Sequence, residues 1–324
     1  MYGTLESDEL WLVYDRISFC EREFLIKLSS GNFTVELQPE IGGSVASFRW
    51  HRAAVTIDLL RPMSDEASTK RDAAGAAMFP MTPYANRIAG NEFRFGVRTH
   101  RFEPNVPGEP WCLHGTGWQS AWTVTSENAT SAQLTLDHIE PGEPYSYSAR
   151  QEFVLIPGGL RVMTCLTNRG SRAMPFGFGL HPWWMHEADV TLRFRATHFW
   201  LEGPGYLATD RITLPPELDF SQPKALPRRW RNNCYSGWDG RADVCFPLSG
   251  FGLRIEADPV FRHLMLYSDP DKGIFCLEPQ THATGALNRV GDNVEDDLGI
   301  IVLEPGESAQ GAVSFIPFNT GPRA

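Results

Sequence analysis

Short runs of alternating apolar and polar residues, separated by turn-forming residues, constrain the fold of this 324-residue chain more than any other feature. In FTVELQP, the apolar Phe33, Val35 and Leu37 occupy every second position, as expected for a β-strand with one buried face. The run EFVLIPGGLRVMTCLTNRG, residues 152–170, contains two such stretches around a Pro-Gly-Gly turn. The pattern predicts an antiparallel hairpin here.

Similar runs recur along the chain. AWTVTSENATSAQLTLDHI (residues 121–139) predicts a second hairpin, and IVLEPGESAQGAVSFIPF (301–318) predicts a strand, a Pro-Gly turn and another strand. The segment SDEASTKRDAAGAAMF (64–79) is compatible with either a short helix or a loop. Because 29 glycines and 24 prolines are spread over the whole length and no linker or repeat interrupts it, we expect residues 1–324 to form one all-β domain, a large antiparallel β-sandwich.

Charge and composition exclude several classes of partner. The net charge of −10 at pH 7 disfavours a phosphate backbone, so no nucleic-acid partner is expected. No stretch approaches the ~18 apolar residues of a membrane helix, and the acidic start MYGTLESDELW lacks the basic and apolar regions of a secretory signal. We therefore expect a cytoplasmic protein, monomeric or homodimeric. The cysteines form no CxxC motif and are expected to be reduced thiols: Cys20, Cys112, Cys165, Cys234, Cys245 and Cys276.

Four segments combine polar side chains with turn residues, and each has an ordinary structural explanation beside a functional one. In FPMTPYANRIAGNEFRFG (79–96), Arg87 follows Asn86. This arginine would form a surface salt bridge, hold a turn carbonyl or present its donor fork to sugar hydroxyls. In WCLHGTGWQSAW (111–122), glycines near His114 let the backbone approach a ligand, although a satisfied loop histidine gives the same pattern.

The other two segments place titratable groups at strand ends. His181 in FGFGLHPWW (176–184) precedes a proline, which has no amide hydrogen and ends regular pairing. Trp183 and Trp184 offer flat apolar faces that suit the C–H side of a pyranose. Glu278 ends an apolar strand in GIFCLEPQTHATGALN (273–288), where a buried carboxylate must be paired or functional. Such groups suit general acid–base catalysis on an uncharged polar substrate, and no nucleotide- or phosphate-binding motif suggests a cofactor.

In their order and spacing, these motifs resemble the aldose 1-epimerase (galactose mutarotase) family over nearly the whole chain. The resemblance implies a large antiparallel β-sandwich and the interconversion of the α and β anomers of a free aldohexose without cofactor or metal. The segments that carry it are VELQPEIGGSVASFRW at 35–50, the Asn-Arg pair at 86–87, LHG at 113–115, GLHPWW at 179–184, LEPQT at 277–281 and LEPGES at 303–308.

The same resemblance assigns roles to individual residues. Glu278 matches the general base, His181 the general acid and His114 a histidine that hydrogen-bonds the substrate. An ionised Glu278 suits removal of the anomeric proton. A protonated His181 with a pKa of about 6.5 suits protonation of the ring oxygen. The sugar-binding residues expected beside them are Arg87, Asn86 and Trp183.

One position departs from the family pattern. Many relatives have a sugar-binding aspartate where this chain has Asn232, in RNNCYSGWDG. An amide still donates and accepts hydrogen bonds, but it loses the stronger charge-assisted bond to a hydroxyl. Asp239 is close in sequence and is a candidate substitute, although a Trp-Asp-Gly turn is its more ordinary role. We also assign His282 no role from the sequence.

Three other functions remain compatible with the sequence. A hexose-6-phosphate 1-epimerase would need cations such as Arg228, Arg229 and Arg231 around the phosphate. A sugar-binding protein of the same fold would need no acid–base pair. A metal-dependent isomerase would use His114 and the catalytic residues as ligands, although no compact histidine cluster supports a metal site.

Overall fold

The computed structural model describes residues 25–53, 55–290 and 298–320. These residues form 26 strands, one short α-helix and six 3-10 helices. The strands are β1 (Ile26–Ser30), β2 (Phe33–Gln38), β3 (Ser44–Arg52), β4 (Val55–Asp58), β5 (Met78–Met81), β6 (Arg87–Ile88), β7 (Glu92–Phe95), β8 (Arg98–Arg101), β9 (Cys112–Leu113), β10 (Thr123–Glu127), β11 (Ser131–His138), β12 (Tyr147–Ile156), β13 (Gly159–Asn168), β14 (Met174–Phe176), β15 (Gly179–Met185), β16 (Thr191–Phe194), β17 (His198–Glu202), β18 (Ala208–Thr213), β19 (Lys224–Ala225), β20 (Arg231–Ser236), β21 (Arg241–Phe246), β22 (Phe251–Ala257), β23 (His263–Asp269), β24 (Ile274–Gln280), β25 (Ile301–Leu303) and β26 (Ser308–Asn319). The α-helix is α1 (Asp65–Thr69), and the 3-10 helices are Ala73–Gly75, Ala89–Asn91, Gly117–Gln119, Pro204–Tyr206, Pro216–Leu218 and Ala286–Arg289.

Two large sheets account for most of the strands. The larger has eleven strands in the order β1-β2-β3-β5-β15-β24-β23-β20-β17-β18, with β4 paired to β3. The smaller has nine strands in the order β10-β11-β12-β13-β26-β22-β21-β16-β19. Neighbouring strands such as β15 and β24, or β13 and β26, are antiparallel. The all-β antiparallel sandwich predicted from the sequence is therefore confirmed.

The main apolar core is built by alternate residues of both sheets. On the larger sheet, Leu180, Trp184 and Leu277 point into this core, and on the smaller sheet Phe153 and Phe315 do so. Trp184 is therefore a core residue and not the ligand-facing ring expected from the sequence, because it lies on the opposite face of β15 from Trp183. Successive side chains of a strand point to opposite faces, so the residues between these positions lie on the other face of the larger sheet. That second face carries His181 and Glu278. They lie within β15 and β24 and not at the strand ends expected from the sequence, because both strands continue beyond them.

The predicted local elements are largely present. β12 and β13 form the hairpin expected at 152–170, with Ile156 opposite Gly159 around the turn. β10 and β11 form the second hairpin. Both strands of the 301–318 run exist, but they enter different sheets, since β25 pairs with β14 and β26 lies between β13 and β22.

The ambiguous segment 64–79 contains a helix, a 3-10 turn and the start of a strand. Ser64 caps α1 by accepting a hydrogen bond from the Ala67 amide at 3.1 Å, a common way to begin a helix. Five cysteines are free thiols as predicted, whereas Cys20 lies outside the described residues. Within the described ranges, no helix has the length and apolarity needed to cross a membrane. The single-domain prediction for 1–324 includes segments outside those ranges and stays a prediction.

Candidate acid–base site

An imidazole and a carboxyl group nearly one hundred positions apart meet on the second face of the larger sheet. The Nε2 atom of His181 lies 3.3 Å from Oε1 of Glu278. Both side chains are buried, with 6% and 2% of their surface exposed. The separation is slightly longer than an ordinary N–H···O hydrogen bond, so the two groups are close enough to act on one small ligand.

Strand register explains why these two residues meet. β15 and β24 pair Gly179 with Gln280 and Trp183 with Cys276, and this register places His181 opposite Glu278. Directly opposite residues on one face have neighbouring Cβ atoms. The row continues across the sheet, because Phe79 lies opposite His181 and Met265 opposite Glu278.

Aromatic rings hold the His181 side chain from two sides. Phe79 stacks on the imidazole with ring centroids 4.4 Å apart, and Trp183 packs against it at 4.7 Å. The Arg61 guanidinium lies over the Trp183 ring, 4.7 Å from its centroid. The imidazole is therefore confined between rings, and Trp183, which was predicted to contact the substrate, lines the same cavity as His181.

Burial decides the proton affinity of the pair. Removal from water raises the pKa of Glu278 to about 8, although the positive charge of Arg87 opposes this rise. Burial lowers the pKa of His181 to about 3, because the charged imidazolium loses its hydration. The pair therefore carries one proton at neutral pH, on the carboxyl group. This differs from the ionised Glu278 and protonated His181 expected from the sequence.

Three buried polar atoms around the pair make no hydrogen bond with any described residue. They are His181 Nδ1, Glu278 Oε2 and Trp183 Nε1. Buried polar groups in folded proteins are nearly always hydrogen-bonded, and the exceptions are commonly found at functional sites. These atoms give the site the capacity to bind a polar ligand with both donors and acceptors.

His114 lies beside the pair and is bonded to Asn86. Its ring centroid is 5.3 Å from that of His181. Its Nδ1 accepts the Asn86 amide hydrogen at 3.0 Å, and its own amide donates to the Asn86 carbonyl at 2.9 Å. Burial, followed by the nearby His181 and Arg87, lowers the pKa of His114 well below its usual value. The ring is therefore neutral with its hydrogen on Nε2, which makes Nε2 a donor.

The backbone at these two residues is unusual. Asn86 has φ of +63° and His114 has φ of +60°, in the left-handed region that non-glycine residues seldom adopt. Such conformations persist only where the surroundings hold them, and they cluster at functional sites. The reciprocal bonds between the two residues are part of what holds them.

Arg87 is oriented by Glu109, a partner that the sequence analysis did not identify. Its Nε and Nη2 atoms donate to the two carboxylate oxygens of Glu109 at 3.1 and 2.8 Å. Its guanidinium also lies 5.2 Å from the centroid of the Tyr206 ring. The bidentate ion pair fixes the plane of the guanidinium and leaves Nη1 outside this interaction.

These residues line one cavity of about 300 Å³, the lower end of the range for small-molecule sites. Its outer wall contains Tyr206 and Trp230, which are 45% and 40% exposed. The Trp230 indole N–H donates to the Glu202 carboxylate at 3.1 Å, which fixes the ring. Other lining residues absent from the sequence prediction are Phe79, Met265, Tyr267 and Lys272. Their aromatic and charged character was visible, but nothing in the sequence connected them to this cavity.

Asn232 and Asp239 have different positions. Asn232 lines the cavity and is buried, and its Nδ2 lies 3.5 Å from the Tyr206 carbonyl. Asp239 does not line it; its carboxylate accepts the Arg241 amide hydrogen in a turn. Asp239 is therefore not brought together with the other predicted site residues, and its carboxylate stabilises its own Trp-Asp-Gly turn, the alternative considered from the sequence.

Potential metal ligands also occur at the pair. Atoms of His181, Cys276 and Glu278 all lie within 4.8 Å of one another. Cys276 rather than His114 completes this group, unlike the set considered from the sequence. Cys276 is fully buried and does not line the cavity, and burial raises the pKa of its thiol well above the usual value. These properties disfavour a thiolate ligand.

The fold and site together define a β-sandwich protein with a buried histidine–glutamate pair in a small-molecule-sized cavity. The profile of the family described as aldose 1-epimerase matches residues 25–315, and the chain belongs to this family.

The chain is 36% identical over 264 residues to the uncharacterized protein YphB of Escherichia coli K12, covering 79% of this chain and 87% of YphB. The crystal structure of a putative aldose 1-epimerase from E. coli K12 superposes with a TM-score of 0.82 at 32% identity, over 91% of this chain and 99% of that one. A galactose mutarotase-like protein of Clostridium acetobutylicum shares the fold, with a TM-score of 0.77 at 21% identity over 91% of this chain and 95% of its own.

Proposed function

We propose that this protein is an aldose 1-epimerase that interconverts the α and β anomers of a free aldohexose. The observation that supports this most directly is the 3.3 Å approach of His181 Nε2 to Glu278 Oε1 in one cavity. Mutarotation requires a base at the anomeric hydroxyl and an acid at the ring oxygen. These two oxygens are bonded to the same carbon, so an acid and a base that adjoin each other can reach both.

The proton balance of the reaction fits a pair that holds one proton. Glu278 removes the proton of the anomeric hydroxyl while His181 protonates the ring oxygen and the C1–O5 bond breaks. The carboxyl group is then protonated and the imidazole is neutral. After rotation about C1–C2, His181 removes the ring hydroxyl proton, the bond reforms and Glu278 returns its proton to the new anomeric oxygen. The pair alternates between two forms, and the unliganded site holds the second, with the proton on Glu278. For Glu278 to act first as the base, this proton must pass to His181 when the sugar binds.

Other side chains of the cavity supply binding and orientation. The Nε2–H of His114, the Arg87 guanidinium and the Asn232 amide face the same cavity and can hydrogen-bond sugar hydroxyls. The ring faces of Trp183 and Tyr206 can pack against the C–H groups of a pyranose. We further propose that the protein is cytoplasmic, acts without cofactor or metal as a monomer or homodimer, and binds no nucleic acid.

The hexose-6-phosphate alternative finds less support. Arg228 and Arg229 are exposed, and neither they nor Arg231 line the cavity. The two cations that do line it already have acidic partners: Arg87 binds Glu109, and Lys272 lies 3.2 Å from Asp269. A phosphate needs cations that are available to it, so a neutral sugar suits this cavity better.

The decisive experiment is polarimetry on freshly dissolved α-glucose and α-galactose. Glu278→Gln retains the side-chain shape but removes the proton-transfer group, so the catalysed rate should fall about 10²–10⁴-fold. The exposed Glu256→Gln, on β22, is the matched control and should keep the wild-type rate. A wild-type protein that binds these sugars by calorimetry without accelerating mutarotation would instead be the sugar-binding protein considered above.

A further inference from the structure

We propose that His282 is a positioning residue. It ties the substrate-binding loop, which carries Asn86 and Arg87, to the end of β24, the strand that carries Glu278. This inference rests on the proposed function, because the loop is taken to bind the aldose. His282 does not line the cavity, so any effect on the reaction is transmitted through other residues.

The ring of His282 makes two hydrogen bonds of opposite sense. Its Nδ1 donates to the Ala283 carbonyl at 2.8 Å, on its own segment. Its Nε2 accepts the amide hydrogen of Ala85 at 3.0 Å, from a segment 197 residues earlier. The ring is 1% exposed, so neither bond competes with water. Only the tautomer with hydrogen on Nδ1 satisfies both partners.

The second bond holds the residue next to the substrate-binding loop. Ala85 directly precedes Asn86, whose amide hydrogen is accepted by His114 Nδ1. A continuous set of bonds therefore runs from His282 through Ala85 and Asn86 to His114. It fixes the tautomer of His114, and with it the donor that His114 presents to the cavity.

The ring of His282 packs directly against Gly177. Gly177 lies between β14 and β15. A Cβ atom added to it would lie 1.9 Å from Cδ2 of His282, so a glycine is required here for the ring to fit. The Gly177 amide in turn donates to the Pro83 carbonyl at 2.9 Å, in the same loop. Close packing of this kind makes the imidazole a rigid link and not a mobile side chain.

Two substitutions separate the hydrogen bonds. His282→Asn places an amide near the Nδ1 position and keeps the donor to Ala283, but it has no acceptor for Ala85. His282→Gln reaches the Nε2 position and restores that acceptor. We expect His282→Asn to lower kcat/KM about tenfold, chiefly through KM, because small displacements of binding groups cost this much or more. His282→Gln should recover to within about threefold of wild type.

The measurements are mutarotation kinetics, thermal unfolding and ¹⁵N NMR of histidine-labelled protein, with the partly exposed His51→Asn as control. The wild type should show His114 with hydrogen on Nε2, and His282→Asn should lose this single-tautomer pattern. The alkaline limb of the pH–rate profile should not move, because the Glu278 pair is untouched. A merely structural histidine would lower stability without changing the His114 tautomer or KM.

The proposal is overturned if His282→Asn keeps both the wild-type KM and the wild-type His114 tautomer. It is also overturned if His282→Gln performs no better than His282→Asn. Should the wild type fail to accelerate mutarotation, the proposed function fails, yet the NMR comparison still tests the positioning role. The two failures are thereby distinguishable.

Discussion

The acid–base pair illustrates how surroundings change the chemistry of single residues. Free glutamate and histidine side chains would be ionised and half-protonated near neutral pH, which underlies the expectation taken from the sequence. In the folded chain both groups are withdrawn from water, so each favours its neutral form. The identity of Glu278 and His181 is readable from the sequence, but their protonation depends on burial that only the assembled sheet produces.

The pH dependence of the reaction follows from the same shifts. The one-proton pair is lost above the raised pKa of Glu278, about 8, and it persists far below pH 6.5 because the pKa of His181 is near 3. We expect kcat/KM to be flat from about pH 5 to 7 and to fall above pH 8. Polarimetry across this range, corrected for the uncatalysed rate, measures it. A fall centred near pH 6.5 would contradict this account of the histidine.

The stability of the protein should show the energetic cost of burying Glu278. Its pKa is about 4.5 in the unfolded chain and about 8 when folded, so between these pH values the folded state holds a proton that the unfolded state has lost. The contribution of this group to the free energy of unfolding is therefore complete below pH 4.5 and is lost as pH rises through 8. Glu278→Gln removes this dependence. The variant should therefore gain stability relative to wild type between pH 5 and 8, by a few kcal/mol at most, since one pKa unit equals about 1.4 kcal/mol.

Urea unfolding at pH 5, 7 and 8.5 tests this expectation. The difference between Glu278→Gln and wild type should widen with pH and level off above pH 8, whereas Glu256→Gln should show a constant difference. A Glu278→Gln variant that is equally destabilised at all three pH values would mean that the carboxyl group is not titrating as described.

At the level of strands and turns, sequence reasoning succeeds where the interaction is local. Alternation and a Pro-Gly turn are enough to place β12 and β13, because their register is set by the turn itself. The order of strands in the larger sheet is a different matter. β5, β15 and β24 are adjacent although they are far apart in the chain, and no local signal selects these partners. Tyr206 and Trp230, in the outer wall of the cavity, were not predicted for the same reason: no local signal connects them to the other lining residues.

Gly179 tests the packing of the three strands that build the site. A Cβ atom there would lie 2.6 Å from Cε of Met81 and 2.7 Å from the carbonyl oxygen of Pro279. The methionine end can move, but the backbone carbonyl cannot do so without disturbing β24. We expect Gly179→Ala to destabilise the protein by about 1–3 kcal/mol and to lower activity. Denaturant unfolding and polarimetry measure both effects.

A second substitution, Met81→Ala, shows which of the two contacts opposes Gly179→Ala. If the methionine were the main obstacle, Met81→Ala would rescue Gly179→Ala. The Pro279 contact predicts that rescue is incomplete. Full recovery of stability in the double variant would show that β24 does not constrain this position.

At the scale of the whole molecule, the resemblance to a family supplied what periodicity could not. The pairing of His181 with Glu278 and the cavity position of Arg87, Asn86 and His114 were expected from matched motifs. Glu109 and Lys272 lie outside those motifs, and their relevance depends on three-dimensional proximity alone. Asp239 lies outside the cavity although it is close in sequence to Asn232, because nearness in sequence does not imply nearness across a twisted sheet.

Overall charge should influence which sugars are accepted. The net charge of −10 and the pairing of both cavity cations with carboxylates disfavour an anionic substrate. We expect kcat/KM for glucose 6-phosphate to be at least about tenfold below that for glucose, with a smaller gap at high salt because added ions screen the repulsion. Comparable values for the two sugars would favour the phosphosugar alternative.

The position of β26 has a consequence for how the protein is made. This strand joins β13 to β22 in the middle of the smaller sheet, yet residues 308–319 leave the ribosome after both neighbours. Until then, each half of the sheet presents a long unpaired edge, and such edges invite association with other chains. We therefore expect nascent copies to need protection from association late in translation, and premature termination before Ser308 should yield insoluble fragments instead of a smaller folded protein.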